Sequence, residues 1–495
     1  MPRITEFNLS NFRLDLYTRS KINLDILTGD ESNIKDFHST LMSKIECGWY
    51  AIVKEKDTGR IFLLNDHISS YRVYINRKTL KYGQNFWDVV GSEEVELSTE
   101  YMEQVKTRGY LTGENTIVKE IVKLLPSHIF CLNSNCQYYN SFISEEKRVD
   151  MRISQTVLPN TLLDKNTKIA VAFSGGLDST FLVNVLKVGG YKNIIPIYMY
   201  CPILDNEADV NLEQSKYITN KLGLQLEVVN IEEEELISVS KEFILKYPND
   251  CSPGFLALSL FLQKVNTKYL PSKIITGQNS DTFISFGLTR KNHFIESLSR
   301  YLYLKVFRKI YNNVSTNRIE EFLMRLTYRL RRIDIQCIPS NKNELITGWG
   351  SEKYYLPSIR VNSPNKTTPY IENLEYEHAI IYNKLVNHIA GNHSLVWSKE
   401  ENVLMPFSNI EFIQYSYENL KEFSLMKVLN PKKILSNEIS FPFKRKKIPI
   451  IKRIINRFSS KGYIDNDFIE KFKLIYLNTI LATCDEVKQE KINLN

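Results

Sequence analysis

A chain of 495 residues exceeds what one hydrophobic core ordinarily organises, so two or more domains are expected. Its 43% hydrophobic and 24% charged residues, with 28 Tyr and 25 Phe, describe a globular protein and exclude a disordered or fibrous one. The net charge of +8 is spread over the whole length, and an anionic small substrate accounts for it as well as a nucleic acid does.

In chain order, Trp49-Tyr-Ala-Ile-Val53 and Arg60-Ile-Phe-Leu-Leu64 flank the turn-forming residues 56–59 and predict a β-hairpin. A helix is expected around 99–107. The pattern changes near 145–165 from short strands to alternating strands and helices. Lys168-Ile-Ala-Val-Ala-Phe173 predicts a strand, 178–188 a helix, and Ile194–Tyr200 the next strand. An amphipathic helix over 208–222 ends at Gly223, followed by strands at Leu224–Ile231 and Lys273–Thr276. Alternation of this kind implies a parallel sheet covered by helices, an α/β architecture. Residues 295–333 and 372–495 are expected to be mostly helical. No apolar run approaches a membrane span, and residues 1–15 carry charges where a secretory signal needs an apolar stretch. The seven cysteines are scattered, and the pair Cys131 and Cys136 lacks the second pair of a zinc site. Reduced thiols in a cytoplasmic protein without membrane contact are expected.

The chemistry concentrates in Ser174-Gly-Gly-Leu-Asp-Ser179, placed between a predicted strand and helix. Gly175 and Gly176 let the backbone turn tightly and approach a ligand. The helix that follows aims free N–H groups and its positive dipole end at the same spot. Ser174 and Ser179 add hydroxyls, so the loop suits a phosphate chain. Asp178 beside phosphates makes sense if its carboxylate holds Mg²⁺. The loop lacks the Gly-Lys-Ser/Thr ending of a Walker A motif and the spacing of a dinucleotide fingerprint.

Val171–Thr180 resembles the loop of the PP-loop ATP pyrophosphatases. That resemblance implies an adenine nucleotide alpha hydrolase-like fold, ATP and Mg²⁺ as cofactors, and cleavage of ATP between its α and β phosphates. Three further blocks resemble the asparagine synthetase branch. The first is Leu97–Met102 with Arg108–Gly113, Asn115-Thr116 and Leu124–His128, preceded by Gly48-Trp-Tyr-Ala51, Asp66 and Tyr74. It is similar to a glutaminase domain of Ntn-hydrolase type. The second, Ile274-Ile-Thr-Gly-Gln-Asn-Ser-Asp281, is similar to the family's Ser-Gly-Glu-Gly-Ser-Asp-Glu. It implies nucleotide contact at Gly277 and a second Mg²⁺ ligand at Asp281. The third is Leu404-Met-Pro-Phe-Ser-Asn-Ile-Glu-Phe-Ile413. The expected organisation is a degenerate glutaminase-like, β-rich domain over 1–150 and a synthetase domain over 151–495 with a helical C-terminal part.

Departures from the family pattern refine the expectation. Position 2 is Pro, where a glutaminase needs Cys, so glutamine hydrolysis is not expected. β-Lactam synthetases and lasso-peptide cyclases are similar in this respect. Gln278 stands where the family has Glu or Tyr, and an amide does not accept a proton at neutral pH. Thr282, Leu404 and Asn409 also depart. Lys446, in Phe443-Lys-Arg-Lys-Lys447, matches the family's oxyanion-stabilising lysine. The basic, aromatic stretch Arg300–Arg332 is compatible with an acidic ligand or with the wet face of helices. The resemblance implies an AMP-forming carbon–nitrogen ligase joining a small-molecule or peptide carboxylate to an amine. Such chemistry belongs to a modified peptide, secondary metabolite or surface sugar, with partner biosynthetic proteins and no nucleic acid. Asparagine synthesis from ammonia and a non-catalytic nucleotide-binding homologue are the alternatives. Thiolation of tRNA would want a catalytic cysteine pair or an RNA-binding appendage, and neither is evident.

Overall fold

The computed structural model describes residues 3–18, 31–45, 48–91, 96–108, 110–111, 113–143, 153–157, 164–284, 402–421, 433–439 and 466–494, with isolated positions between 381 and 397.

The first elements are β1 (Arg3–Asn8), β2 (Phe12–Thr18), α1 (Ile34–Lys44), β3 (Trp49–Glu55), β4 (Ile61–Asn65), β5 (Tyr74–Asn76) and β6 (Tyr82–Gly83). They continue through α2 (Phe86–Val90), α3 (Thr99–Arg108), β7 (Ile121–Lys123), β8 (His128–Cys131) and β9 (Cys136–Tyr139). A six-stranded sheet runs β1-β2-β3-β4-β8-β9 and a three-stranded sheet β6-β5-β7. The expected hairpin is β3–β4, antiparallel with Lys54 opposite Ile61. Side chains alternate across a strand, and both faces of β3 are covered. Trp49, Ala51 and Val53 pack with Phe37 and Leu41 of α1. Tyr50 packs with Leu63, Val73, Ile75 and Phe130 between the two sheets. Helix α1 begins where the Asn33 side chain accepts hydrogen bonds from the N–H groups of Lys35 and Asp36, both 3.0 Å.

The second region opens with α4 (Ile153–Val157), β10 (Lys168–Ala172), α5 (Leu177–Val188), β11 (Asn193–Tyr200), α6 (Ala208–Lys221) and β12 (Glu227–Asn230). It continues with α7 (Glu233–Lys246), α8 (Pro253–Tyr269), β13 (Lys273–Thr276), α9 (Ser280–Phe283) and β14 (Val403–Leu404). A 3₁₀ turn at Pro406–Ser408 then leads to α10 (Ile410–Lys421), α11 (Lys433–Asn437) and α12 (Asn466–Leu494). The parallel sheet has the order β12-β11-β10-β13-β14. Strand β12 is shorter than the expected 224–231. Gly223, at φ +65, and Leu224, whose N–H bonds the Thr219 carbonyl, complete the end of α6 instead. Strand β14 went unrecognised in the sequence, because two residues carry no periodicity.

The two regions meet around residues 245–250. The Asn249 side chain accepts from the Ile117 N–H at 2.7 Å, and the Trp87 indole donates to the Leu245 carbonyl at 2.9 Å. Arg72 and Asp250 form an ion pair of 3.1 Å, with Asp250 almost wholly buried. Residues of α2 and α3 share one apolar core with β10, β13 and α8. Among the described residues, no helix is long and apolar enough to cross a membrane. The basic stretch Arg300–Arg332 and Lys446 lie outside the described residues.

Candidate functional site

In the parallel sheet, β11 and β12 lie on one side of β10, and β13 and β14 on the other. The chain therefore reverses its winding direction between β10 and β13. Crevices at the carboxyl ends of strands at such a switch point are where α/β sheets bind ligands. The segment after β10 is Ser174–Gly176, and that after β13 is Gly277–Asn279. Both motifs singled out in the sequence thus flank one crevice.

The loop after β10 demands its glycines for different reasons. Gly175 has φ +64, and a Cβ there would lie 2.8–2.9 Å from the Ser215 hydroxyl and backbone in α6. A side chain is therefore excluded by backbone conformation and by space together. Gly176 is the N-cap of α5, and no side chain caps the helix. Its first-turn N–H groups point toward the crevice as an anion-binding end. Gly277 lies close to the start of α5, where an added Cβ would stand 3.3 Å from Asp178 Cβ and 3.5 Å from Ser179 N.

The two serines differ. Ser174 is exposed at the strand end. Ser179 is buried, and its hydroxyl donates to the Gly176 carbonyl at 3.3 Å while lying 3.3 Å from the Ser174 N–H. Thr180 also donates to the Gly176 carbonyl, at 2.7 Å. Ser179 therefore shapes the loop, whereas Ser174 faces outward. Asp178 is half-buried in the first turn of α5, and its Oδ1 accepts from Ser280 Oγ at 2.9 Å.

The end of β13 is equally constrained. The Gln278 N–H donates to Thr276 Oγ1 at 3.2 Å, and its side-chain amide reaches Asn279 Oδ1 at 3.4 Å. Asn279 adopts φ 71, a left-handed conformation that disfavours side chains other than Asn, Asp and Gly. Its amide donates to Ser408 Oγ at 2.7 Å. Asp281 is placed in α9, but its side chain lies outside the described residues, as does all of Lys446. Ser215, Asn279, Ser280, Ser408 and His67 are site neighbours to which the sequence assigned no role. Asn279, Ser280 and Ser408 sit inside the quoted blocks, whereas only packing identifies Ser215 and His67.

ATP with Mg²⁺ fits these residues: an uncapped helix end, a turn closed to any Cβ, and one carboxylate at the same end. Among the described residues, no group of three or more His, Cys, Asp or Glu could hold a metal by protein ligands alone. A Mg²⁺ ion held at Asp178 would offset the charge of a phosphate chain at this helix end.

Comparison with known proteins agrees on this unit. Residues 167–279 match the model of the tRNA methyl transferase HUP domain. This segment is thus similar to a PP-loop unit of the HUP type. A tRNA-specific 2-thiouridylase (MnmA 2) of Fusobacterium nucleatum is 29% identical over 147 residues, 28% of this chain and 42% of that protein. The corresponding enzyme of Campylobacter lari is 33% identical over 91 residues, 18% of this chain and 27% of that one. The chain thus spans less than half the length of these curated relatives. They are named thiouridylases, not the amide-forming synthetases that the flanking blocks imply. Among solved structures, the U34-tRNA thiolase NcsA of Methanococcus maripaludis, with its 4Fe-4S cluster, is 13% identical. It covers 47% of this chain and 75% of its own, at a TM-score of 0.23. The NH3-dependent NAD synthetase of Campylobacter jejuni is 20% identical over 42% of this chain and 93% of its own, at a TM-score of 0.21. Neither score carries an argument.

Proposed function

We propose that the chain is an ATP-dependent ligase of the asparagine synthetase-like kind, which adenylates a carboxylate and couples it to an amine. In this reading residues 1–150 are a degenerate glutaminase-like domain, and 151–495 are the synthetase domain. One observation carries it. Segments far apart in the sequence (His67, Ser174–Ser179, Gly277–Ser280 and Leu404–Asn409) are linked in one chain of direct contacts. The thiouridylase likeness covers the nucleotide-binding unit, and the last of these segments lies outside the matched residues 167–279.

The chemistry assigns a task to each group. Gly175, Gly176 and the first N–H groups of α5 cradle the phosphates, with Ser174 as an added donor. Mg²⁺ at Asp178, with Asp281 as its expected second ligand, would neutralise charge on the departing pyrophosphate. The substrate carboxylate attacks the α-phosphorus, pyrophosphate leaves, and an acyl-adenylate remains. An amine then attacks the acyl carbon, AMP departs and the amine's proton passes to water, with Lys446 stabilising the oxyanion. Gln278 orients the amine by hydrogen bonding without taking its proton. Aspartate as the carboxylate with ammonia as the amine would make the product asparagine, the narrower alternative.

Transfer of sulfur to tRNA is the second reading, favoured by the names of the matched relatives. It needs an activated thiol. Burial pushes the Cys201 thiol up to about 11, and the Cys251 thiol well above its ordinary value. Both stay protonated and unreactive at neutral pH. Purified protein, Mg-ATP and a panel of carboxylates and amines test the proposal. Pyrophosphate release dependent on both carboxylate and Asp178 supports it. ATP binding without release under any acceptor would leave a non-catalytic nucleotide-binding homologue. Sulfur incorporation into tRNA would replace the proposal by the second reading.

A further inference from the structure

His67 follows β4 in the β-rich region, is 1% exposed, and makes one hydrogen bond that leaves that region. Its Nε2 lies 2.7 Å from the Ser408 carbonyl oxygen, so Nε2 carries the proton and donates. Burial lowers the histidine's proton affinity, which keeps the ring neutral. Its neighbour Asp66 cannot take over the contact. That carboxylate accepts from the backbone N–H groups of Gly48, Trp49, Ile68 and Ser70. Phe142, with its ring centroid 5.3 Å from that of His67, closes another side.

Ser408 is held from two directions. Its carbonyl is fixed by His67, and its hydroxyl accepts from the Asn279 amide at 2.7 Å. Asn279 is one of the residue types that accept a left-handed backbone, and its bond to Ser408 fixes where its side chain points. The next residue, Ser280, donates to Asp178. A continuous path therefore runs from the β-rich region to the carboxylate at the start of α5: His67, Ser408, Asn279, Ser280, Asp178.

We propose that His67 is a positioning residue for the nucleotide site, holding Ser408 so that Asn279 and Ser280 set the orientation of Asp178. The β-rich region then has a task in nucleotide binding. This proposal rests on the assignment of Mg-ATP to the Asp178 crevice.

The test uses the full chain and two readouts. The first is hydrogen–deuterium exchange in the ligand-free protein over residues 277–284. The second is the affinity for Mg-ATP by calorimetry, compared with ATP in EDTA. His67→Phe removes the donor at similar size and should speed exchange in this segment and weaken Mg-ATP about tenfold. His67→Gln, whose amide can replace Nε2–H, should restore both to within about threefold of wild type. Ser408→Ala should reproduce His67→Phe without touching the histidine. Trp87→Phe breaks another contact between the same two regions, to Leu245, and should change neither readout. Unchanged exchange in His67→Phe, or faster exchange with unchanged Mg-ATP affinity, would overturn the proposal. So would equal effects of His67→Phe and Trp87→Phe, which would make the histidine a general part of the interface. Wild-type protein that fails to bind Mg-ATP would instead remove the assignment of the crevice, and this proposal with it.

Discussion

Ser280 donates a 2.9 Å hydrogen bond to Asp178 across 102 positions of sequence. That bond ties the end of β13 to the start of α5 and fixes one oxygen of the carboxylate. The carboxylate stands in the first turn of α5, at the helix end that faces the end of β13. A carboxylate held in this way pays little orientational entropy when a cation arrives.

Asp178→Asn keeps the shape and leaves Ser280 an acceptor, so the fold should survive. Mg²⁺-dependent nucleotide binding should drop roughly 100-fold, the scale of losing one charged group at a transferring phosphate. Calorimetry with and without EDTA, beside a thermal melt, separates the two effects. Equal Mg-ATP affinity in mutant and wild type would remove the carboxylate from the metal site.

Gly175→Ala should destabilise more than Gly223→Ala, though both residues have nearly the same φ, +64 and +65. The left-handed conformation costs a side-chain-bearing residue about 1–2 kcal/mol at either site. Only at Gly175 does the new methyl meet backbone, at 2.9 Å; at Gly223 it meets the end of Lys187 at 3.9 Å. Urea midpoints of the two variants give the difference. Equal losses would mean that α6 shifts freely away from the loop.

The Arg72–Asp250 pair should be costly to break from one side. Burial alone would raise the Asp250 carboxyl, but Arg72 and Lys123 beside it pull it below its ordinary value. Arg72→Met leaves a buried carboxylate with Lys123 alone and should cost about 3 kcal/mol in denaturant unfolding. Adding Asp250→Asn should recover part of that loss. A single mutant as stable as wild type would show that water reaches the pair.

Acid should loosen the β-rich region early. Burial lowers His38 to about 4 and His128 to about 3, from an ordinary value of 6.5. Their Nε2 and Nδ1 atoms bond the Asn65 and Pro126 carbonyls as neutral rings. The unfolded chain takes up these protons below about pH 6.5, and the folded chain refuses them until far lower. Stability should therefore fall by about 1.4 kcal/mol per pH unit for each histidine below pH 6.5. Urea unfolding at pH 7, 6 and 5 measures the slope, and His128→Phe should make it shallower.

Thiol labelling offers a separate check on the chemistry. Exposed Cys136 should react with iodoacetamide well before buried Cys201 and Cys251, as read by peptide mapping. A fast-reacting Cys201 would revive the sulfur-transfer reading.

Much of the parallel unit was legible before any coordinates. Lys168–Ala172 is a buried strand, and two glycines followed by Leu-Asp-Ser-Thr open a helix, because strand pattern and helix-start chemistry act over a few residues. The hairpin at β3–β4 was legible for the same reason. Less was legible of the site. The Ser179 hydroxyl, expected at the phosphates, bonds the Gly176 carbonyl in the ligand-free loop, a contact that burial in α5 creates and the motif does not announce. Strand β14 escaped notice because two residues carry no periodicity, and distant partners hold it: Val403 pairs with Ile274 and Leu404 with Ile275.

The sequence by itself determined the form of the loop, since glycine freedom, a helix start and an adjacent carboxylate are local properties of Ser174–Ser179. Only the tertiary structure decided what surrounds it. Ser280 reaches Asp178, Ser408 anchors Asn279, and His67 holds Ser408 across 341 positions. Contacts at such separations follow from how whole sheets and helices bury their apolar faces, and no short-range pattern encodes them.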